Sequence, residues 1–429
     1  MRRDRQIPNL KTQQNVEGWS SLVQWTLPSH LKYASAMTSR RRRRTTATGA
    51  TRTGKIERPS LSSMSTELHH LNLEGPITAH AFNADRTQVA VSKNSNVVEI
   101  YKRASIHAKF ILEAVLSDHD KLVTSIDWAP TTNRIVTCSQ DRNANVWTWD
   151  ATKGLWKPTL VLLRMQRGAT MVRWSPKEDK FAVASAARLI AICYFEEEND
   201  WWISKHLKKP IKSTILSLDW HPNNVLLAAG STDMRVRVFS AFIKDVDAKP
   251  EPSVWGSRLP FNTLCLEANA GGWIHDVQFS PSGDCIAYAT HASTLEIATP
   301  GEDGAANVTK VPYGGLPMTS LQFVSETAFV AAGHNCAPVL FSGDAGTWQE
   351  TRAIDTKAGV EKEEVGAFKS LRNSFRDMDM KGGAGTSETA LPTIHQNTVT
   401  QVSAYKGERG HVSQVSTSGV DGRIVVWQV

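Results

Sequence analysis

A phrase that recurs around an aromatic residue most restricts how this chain can fold. Its first four aromatic residues stand 46 positions apart, at Phe82, Trp128, Trp174 and Trp220. The recurring phrases are SIDWAP (125–130), MVRWSP (171–176), SLDWHP (217–222), DVQFSP (276–281), SLQFVS (320–325) and, more weakly, TQVSAY (400–405). Repetition at an interval of roughly 40–45 residues is typical of a radial or linear array of small β-sheets.

Each repeat unit continues with a second apolar run and a third run that ends in an aromatic or apolar residue. In three units an aspartate precedes that last residue by six positions, at Asp141, Asp233 and Asp421. An aspartate there can fix the turn between the second and third strands by accepting hydrogen bonds. His119 and His395 stand at equivalent positions ahead of two units, and we expect each to bond its unit's aspartate in a structural role.

Units of this length, each of four short strands, predict an all-β fold, a seven-bladed WD-repeat β-propeller over residues 64–429. The chain ends two residues after Trp427, so the seventh unit has no outermost strand of its own. Residues 66–73 can supply that strand, which would close the ring and remove an exposed sheet edge.

Two segments interrupt the period. Residues 243–264 are predicted to lengthen the link between blades 4 and 5, and residues 343–392 to form a protruding insertion between blades 6 and 7. The second segment contains the only helical signal that we single out, around residues 365–380. Its flanks are rich in Gly, Ser and Thr, the composition of flexible linkers.

That helical signal comes from Phe368, Leu371, Phe375 and Met378, which recur at steps of three, four and three. This spacing predicts one apolar face of an α-helix, flanked by basic residues such as Arg372. Three interpretations stay open: a helix that binds a partner, a helix that covers the propeller, or a loop with accidental periodicity. A helix of about three turns is marginal alone in water, so a partner's groove favours the first interpretation.

The net charge of +7 is concentrated at the N-terminus. Residues 1–63 carry thirteen Lys and Arg against three acids, whereas the rest of the chain carries 36 against 39. A nearly neutral propeller is not expected to bind nucleic acid. We predict a disordered basic extension over residues 1–63. Its Arg40–Arg44 run is compatible with a nuclear signal, an RNA contact, a membrane-surface patch, a transit peptide or sequence upstream of a start at Met64.

Several classes of protein are disfavoured by what the sequence lacks. None of the five cysteines forms a CxxC motif, which indicates a reduced, cytoplasmic protein. No apolar run approaches the roughly 18–20 residues of a membrane span. The stretch GATRTGKI (49–56) resembles a phosphate-binding loop but has neither the preceding strand nor the Ser or Thr after its lysine.

No motif of a catalytic site occurs in a suitable context. Enzymes built on propellers gather acids, histidines or metal ligands around the central channel. The inner-strand positions Val123, Ile215, Ile274 and Met318 are apolar, and we expect them to leave the channel without such a set. The prediction is a binding platform with no catalytic residues, no metal, no cofactor and no small-molecule substrate.

Phrases that link the blades carry a family resemblance. They are PITAHAFNADRTQVAVS (76–92), CYFEEENDWWISKHLKKPIKSTILSLDWHPNNVLLAAGS (193–231), FSAFIKDVD (239–247), GGWIHDVQFSPSGD (271–284) and FVAAGHNCAPVLF (329–341). Together they resemble the WD-repeat subunit of the actin-related protein 2/3 complex, which nucleates branched actin filaments. The resemblance covers residues 64–429.

The resemblance implies a non-catalytic structural subunit in the cytoplasm, at cortical patches of the actin cytoskeleton. Its implied partners are the other subunits, the actin filament and nucleation-promoting factors. In this family a helix in the insertion between the last two blades docks on the mother filament. Carried over here, that role falls on Phe368, Leu371, Phe375 and Met378, with Arg372 on the flank.

One alternative from another class remains at this point. The Arg-rich extension is compatible with a WD-repeat adaptor of a nuclear or RNA-associated assembly. Deleting residues 1–63 discriminates the two, because only the adaptor should lose its partners.

Overall fold

The computed structural model describes residues 67–105, 108–301, 305–344, 346–355 and 391–429. Within these ranges the chain forms seven four-stranded antiparallel sheets and no helix. The innermost strand of each sheet contacts the innermost strands of the two neighbouring sheets, so the sheets close into a ring. The predicted seven-bladed β-propeller is confirmed. The predicted N-terminal extension and the predicted helix around 365–380 lie outside the described residues.

Blades 1 to 6 each consist of four consecutive strands that run outward from the central channel. The strands of blades 1 to 3 are β2 (Ala79–Phe82), β3 (Gln88–Ser92), β4 (Val98–Lys102), β5 (Ile111–Leu116), β6 (Val123–Trp128), β7 (Ile135–Ser139), β8 (Ala144–Asp150), β9 (Leu155–Val161), β10 (Ala169–Trp174), β11 (Lys180–Ser185), β12 (Ile190–Glu196) and β13 (Trp201–Leu207). Those of blades 4 to 6 are β14 (Ile215–Trp220), β15 (Leu226–Ser231), β16 (Arg235–Ser240), β17 (Leu264–Asn269), β18 (Ile274–Phe279), β19 (Ile286–Thr290), β20 (Leu295–Pro300), β21 (Ala306–Val311), β22 (Met318–Ser325), β23 (Ala328–Gly333), β24 (Val339–Ser342) and β25 (Gln349–Ala353).

Blade 7 is built from both ends of the described chain. It contains β26 (Val399–Glu408), β27 (His411–Gly419) and β28 (Arg423–Gln428), and β1 (Glu67–Asn72) pairs antiparallel with β28 as its outermost strand. The prediction that residues 66–73 close the ring is therefore confirmed. The N–H of Leu73 donates to the carbonyl of Gly422 at 2.7 Å, just beyond the paired strands.

The recurring aromatic residues have equivalent places in the blades. Trp128, Trp174 and Trp220 each end an inner strand and are buried against neighbouring side chains. Phe279 ends the corresponding strand of blade 5 and is buried in the same way. Since large aromatic rings bury much apolar surface, these four rings help to hold adjacent blades together.

The structure corrects the place of the first predicted insertion. Residues 241–263 connect β16 to β17 within blade 4, because β17 pairs with β16 and not with blade 5. This connection packs against the neighbouring blades 3 and 5. The buried indole of Trp255 donates from Nε1 to the carbonyl of Gly283 at 2.7 Å, and Asp247 forms a buried ion pair with Lys180.

The second predicted insertion begins too early. Residues 349–353 form β25, the outermost strand of blade 6, and Ile354 is fully buried. Beyond the undescribed residues 356–390 the N–H of Ile394 donates to Asp355 Oδ2 at 2.6 Å. The chain therefore leaves and re-enters the ring at one place. No helix in the described part is long and apolar enough to span a membrane.

Candidate functional site

The blade-turn residues of blade 2 form a continuous hydrogen-bonded network. His119 Nδ1 lies 2.7 Å from Asp141 Oδ2, and His119 Nε2 lies 2.7 Å from Thr137 Oγ1. The same hydroxyl accepts from Trp147 Nε1 at 3.0 Å. His119 and Thr137 are buried. The network ties the loop before the blade to strands β7 and β8.

Blade 7 repeats this arrangement where the ring closes. His395 Nδ1 lies 3.1 Å from Asp421 Oδ1, and His395 Nε2 lies 2.7 Å from Thr417 Oγ1. Trp427 Nε1 donates to the same hydroxyl at 2.8 Å. Burial raises the pKa of Asp421, but the hydrogen bond and charge of His395 and two backbone N–H groups outweigh it, so the pKa is lowered.

Blade 4 uses its aspartate in a different way. Arg237 Nη1 donates to both carboxylate oxygens of Asp233, at 3.0 and 2.9 Å, and the Lys212 N–H donates to Oδ2 at 3.0 Å. The buried Arg237 also donates from Nε to Glu267 Oε2 at 2.6 Å. Arg237 was not among the residues predicted from the sequence, although it stands two residues before Phe239 on the third strand of its repeat unit. The five predicted turn residues thus lie in three separate turns and form no common site.

The central channel differs from the sequence expectation. Val123, Ile215, Ile274 and Met318 are buried between blades and do not line it. Each inner strand of blades 2 to 7 shifts register directly after its first residue, and this bulge turns alternate side chains toward the channel. The channel is instead lined by polar groups that include Asp127, Arg173, Asp219, Gln278 and Gln322. The predicted apolar channel is wrong.

These channel side chains connect neighbouring blades. Asp127 Oδ2 accepts from the Trp174 N–H at 2.7 Å, and Asp219 Oδ2 accepts from the Phe279 N–H at 2.8 Å. Gln278 Oε1 accepts from the next blade's Phe323 N–H at 3.0 Å. Because each acceptor is engaged by a backbone donor, the ring of polar groups serves to join blades.

Two buried groups in the channel have strongly displaced pKa values. Burial raises the pKa of Asp276 to about 6, although Leu321 N–H and Ser320 Oγ donate to its carboxylate. Burial and the charge of Arg173 lower the pKa of His80 to about 3. The neutral His80 ring is in contact with the hydroxyls of Ser416 and Ser418. Among the described residues no three His, Cys, Asp or Glu side chains are arranged to hold a metal ion.

A long hairpin partly covers one mouth of the channel. β26 and β27 extend beyond the inner strands of the other blades, and Arg409 at their tip reaches the opposite side of the ring. Its Nη1 donates to the carbonyl of Trp220 at 3.2 Å, and its Nη2 donates to that of Ser280 at 3.3 Å. Blade 7 is thus tied across the mouth to blades 4 and 5.

Exposed apolar side chains mark the surfaces that suit protein partners. One group lies on the outer strands of blades 1 to 3 and includes Leu112, Leu160 and Trp201. A second group lies on loops between strands. It includes Trp273, which directly precedes β18 and whose ring stacks on His291. Large exposed apolar patches on a folded protein indicate sites of protein interaction.

Comparison with known proteins gives consistent matches. The family model "WD domain, G-beta repeat" matches residues 111–148 and 203–240. The chain is 51% identical over 373 residues to actin-related protein 2/3 complex subunit 1 of Schizosaccharomyces pombe, covering 83% of this chain and 97% of the relative. It is 48% identical over 363 residues to subunit 1A-B of the same complex in Xenopus laevis, covering 84% and 95%. With subunit 1 of Saccharomyces cerevisiae it shares 40% identity over 378 residues, covering 83% and 96%.

Proposed function

The chain belongs to the family of actin-related protein 2/3 complex subunit 1, and on that premise we propose that its propeller is the platform on which the other subunits assemble. The observation that carries this proposal is the identity of 40–51% over almost the whole length of relatives that bear this name. The subunit is structural and non-catalytic, and it belongs to the complex that nucleates branched actin filaments.

The structure supports a platform role in two ways. Networks in the turns, such as that of His395 and Asp421, and contacts between blades, such as that of Asp127 and Trp174, hold the ring rigidly. Exposed apolar side chains such as Leu162 and Trp201 then lie on a fixed surface. A rigid surface loses little conformational freedom when a partner binds.

We further propose that residues around 365–380 contact the actin filament through Phe368, Leu371, Phe375 and Met378, flanked by Arg372. These residues lie outside the described part of the chain, and the proposal depends on their helical spacing and the family resemblance. The hydrogen bond between Ile394 and Asp355 supports it, because it closes the base of the segment without those residues. A segment attached in this way can bind a partner without being needed for the fold.

Two further roles follow from membership of such a complex. We propose that the subunit contributes to the response to nucleation-promoting factors, and that it acts in the cytoplasm at cortical patches of the actin cytoskeleton. Exposed apolar residues on more than one side of the propeller, such as Trp201 and Trp273, support binding of more than one partner. The nuclear or RNA-associated alternative is not needed to account for the propeller.

Assembly is tested by expressing the full chain with a removable tag in cells and identifying the proteins that copurify. Recovery of both actin-related proteins and the smaller subunits in equal amounts is expected. A preparation that contains only this chain, or nuclear and RNA-binding proteins instead, would contradict the proposal. Deleting residues 1–63 should leave the set of partners unchanged.

The filament contact is tested by the triple variant F368S/L371S/F375S in the assembled complex. We expect normal assembly, a several-fold lower cosedimentation with filaments and fewer branches in a pyrene–actin and imaging assay. The exposed pair E74K/E251K, far in sequence from the segment, is the control. Loss of assembly in the triple variant would show instead that the segment covers the propeller.

A further inference from the structure

An open groove separates the outer strands of blades 1 and 2. It has a volume of about 430 Å³ and lies between β5 on one side and the β8–β9 hairpin on the other. Leu116, Trp147 and Trp156 form its buried base. A concave surface of this size, lined by both apolar and polar side chains, can receive side chains of a ligand or partner.

Several side chains in the walls of the groove are apolar and exposed. Val115 is 50% exposed on one wall, while Trp149 and Leu155 are 41% and 46% exposed on the other. The rings of Trp149 and Trp156 meet edge to face with centroids 5.5 Å apart, which fixes the exposed ring. Outside the lining of the groove, β5 also exposes Ile111 and Leu112.

The base of the groove also contains an unused donor. Trp156 is 7% exposed, and its indole Nε1–H has no acceptor among the described residues. By contrast, Trp147 Nε1 at the same base donates to Thr137 Oγ1. A buried donor without a partner costs free energy, but this atom is covered by protein, so it does not mark a contact for an occupant of the groove.

The charges at the groove select the chemistry of the occupant. Glu113 and Asp118 are its charged lining residues, and no lysine or arginine lines it. Lys102 pairs with Glu113 at 2.8 Å from outside the lining set, so Asp118 is the carboxylate left for an occupant. Opposite charges at the margin of an apolar site favour one class of partner and speed its association.

We propose that this groove binds an amphipathic segment of another subunit, with apolar side chains on Trp149, Leu155 and Val115 and a lysine or arginine beside Asp118. The proposal rests on the proposed function, since it takes the occupant from the same complex. It assigns a surface, a chemical class of partner and a sign of charge.

The test uses the full chain coexpressed with the remaining subunits, which act as the probe. The variant V115K/L155K places two positive charges on the walls. Because both side chains are exposed, we expect these substitutions not to destabilise the fold. The variant V115E/L155E removes the same apolar surface with the opposite charge. The matched control V254K/V308K changes two exposed valines elsewhere.

We expect V115K/L155K to lower the affinity for a partner subunit at least about tenfold, as loss of apolar anchors typically does. The loss should be several-fold smaller for V115E/L155E and absent for V254K/V308K. Raising the salt concentration should make the affinities of the two groove variants more similar, because it screens the charges.

Other outcomes overturn the inference. Equal losses in both groove variants at low salt would exclude a basic occupant, and no loss in either would exclude the groove as a docking site. If the wild-type chain alone forms a dimer that V115K/L155K dissociates, the occupant is a second copy. Failure of the wild-type chain itself to copurify with any subunit would instead contradict the proposed function.

Discussion

His395 Nδ1 lies 3.1 Å from Asp421 Oδ1 at the place where the last strands of the chain close the ring. The N–H of Gln396 donates to the other carboxylate oxygen at 2.9 Å. One carboxylate therefore holds both the loop that enters blade 7 and the turn before β28. Since β1 pairs with β28, this contact supports the strand that joins the two ends of the described chain.

Asp421→Asn is expected to lower the free energy of unfolding at pH 7 by about 1–3 kcal/mol, because a charged acceptor in a buried network is lost. The pKa of Asp421 is lowered in the folded protein. Its contribution is therefore fully present above the ordinary aspartate pKa of about 3.9 and is lost as the pH falls through the lower, folded value. Urea unfolding from pH 7 to pH 3 should show the difference from wild type shrinking below about pH 4. The exposed substitution Glu251→Gln should show no such trend.

Asp276→Asn removes a carboxyl group whose contribution to the free energy of unfolding has the opposite pH dependence. The pKa of Asp276 is raised to about 6, so the folded protein keeps a proton that the unfolded chain releases. Wild-type stability should then fall as the pH rises from about 4 to 6 and level off above that, whereas the asparagine has no ionisation to follow. Unfolding curves of both proteins at pH 4, 5, 6 and 7 test this. A difference that stays constant over that range would contradict it.

Lys180→Met is expected to destabilise the protein by about 3–5 kcal/mol, because it leaves the carboxylate of Asp247 buried without its cation. Asp247 also accepts from Asn224 Nδ2 at 3.0 Å and from the Ile243 N–H at 2.8 Å. The double variant K180M/D247N should lose less than the sum of the two single variants. A double-mutant cycle from denaturant unfolding measures this coupling, and additive losses would show that the pair does not act as a unit.

Arg409→Ala is expected to free the β26–β27 hairpin from the far side of the channel mouth. The lost hydrogen bonds to Trp220 and Ser280 are partly exposed, so global stability should change by less than about 1 kcal/mol. Hydrogen exchange at residues 406–411 should become several-fold faster, while the inner strands of blades 4 and 5 keep their protection. Arg409→Lys should restore little, because one ammonium cannot easily reach both carbonyls. Unchanged exchange at the tip would show that the hairpin is held by its own strands.

The sequence predicted the blades well but not the side chains that face the channel. Trp128, Trp174 and Trp220 end inner strands as their spacing indicated. Val123 and Ile215 were expected in the channel and are buried between blades, because a bulge after the first residue changes which side chains face inward. A one-residue shift exchanges the two faces of a strand, and the repeat spacing alone does not contain it.

The number of blades, the strand order within them and the closing strand are properties of the repeat, so the sequence by itself determined them. The repeat is detectable because stacked units bury apolar side chains against their neighbours, as they do at Trp128, Trp174 and Trp220. Only the tertiary structure decided where residues 241–263 belong, which groups line the channel and that a groove opens beside Trp149 and Leu155. These depend on pairing and packing between residues far apart in the chain, such as Asp127 with Trp174 and Lys180 with Asp247. The polar residue before the aromatic recurs in five of the phrases, as at Asp127, but only the folded ring shows that it faces the channel. The pair of Lys180 and Asp247 leaves no periodic signal, because only the folded ring brings these two residues together.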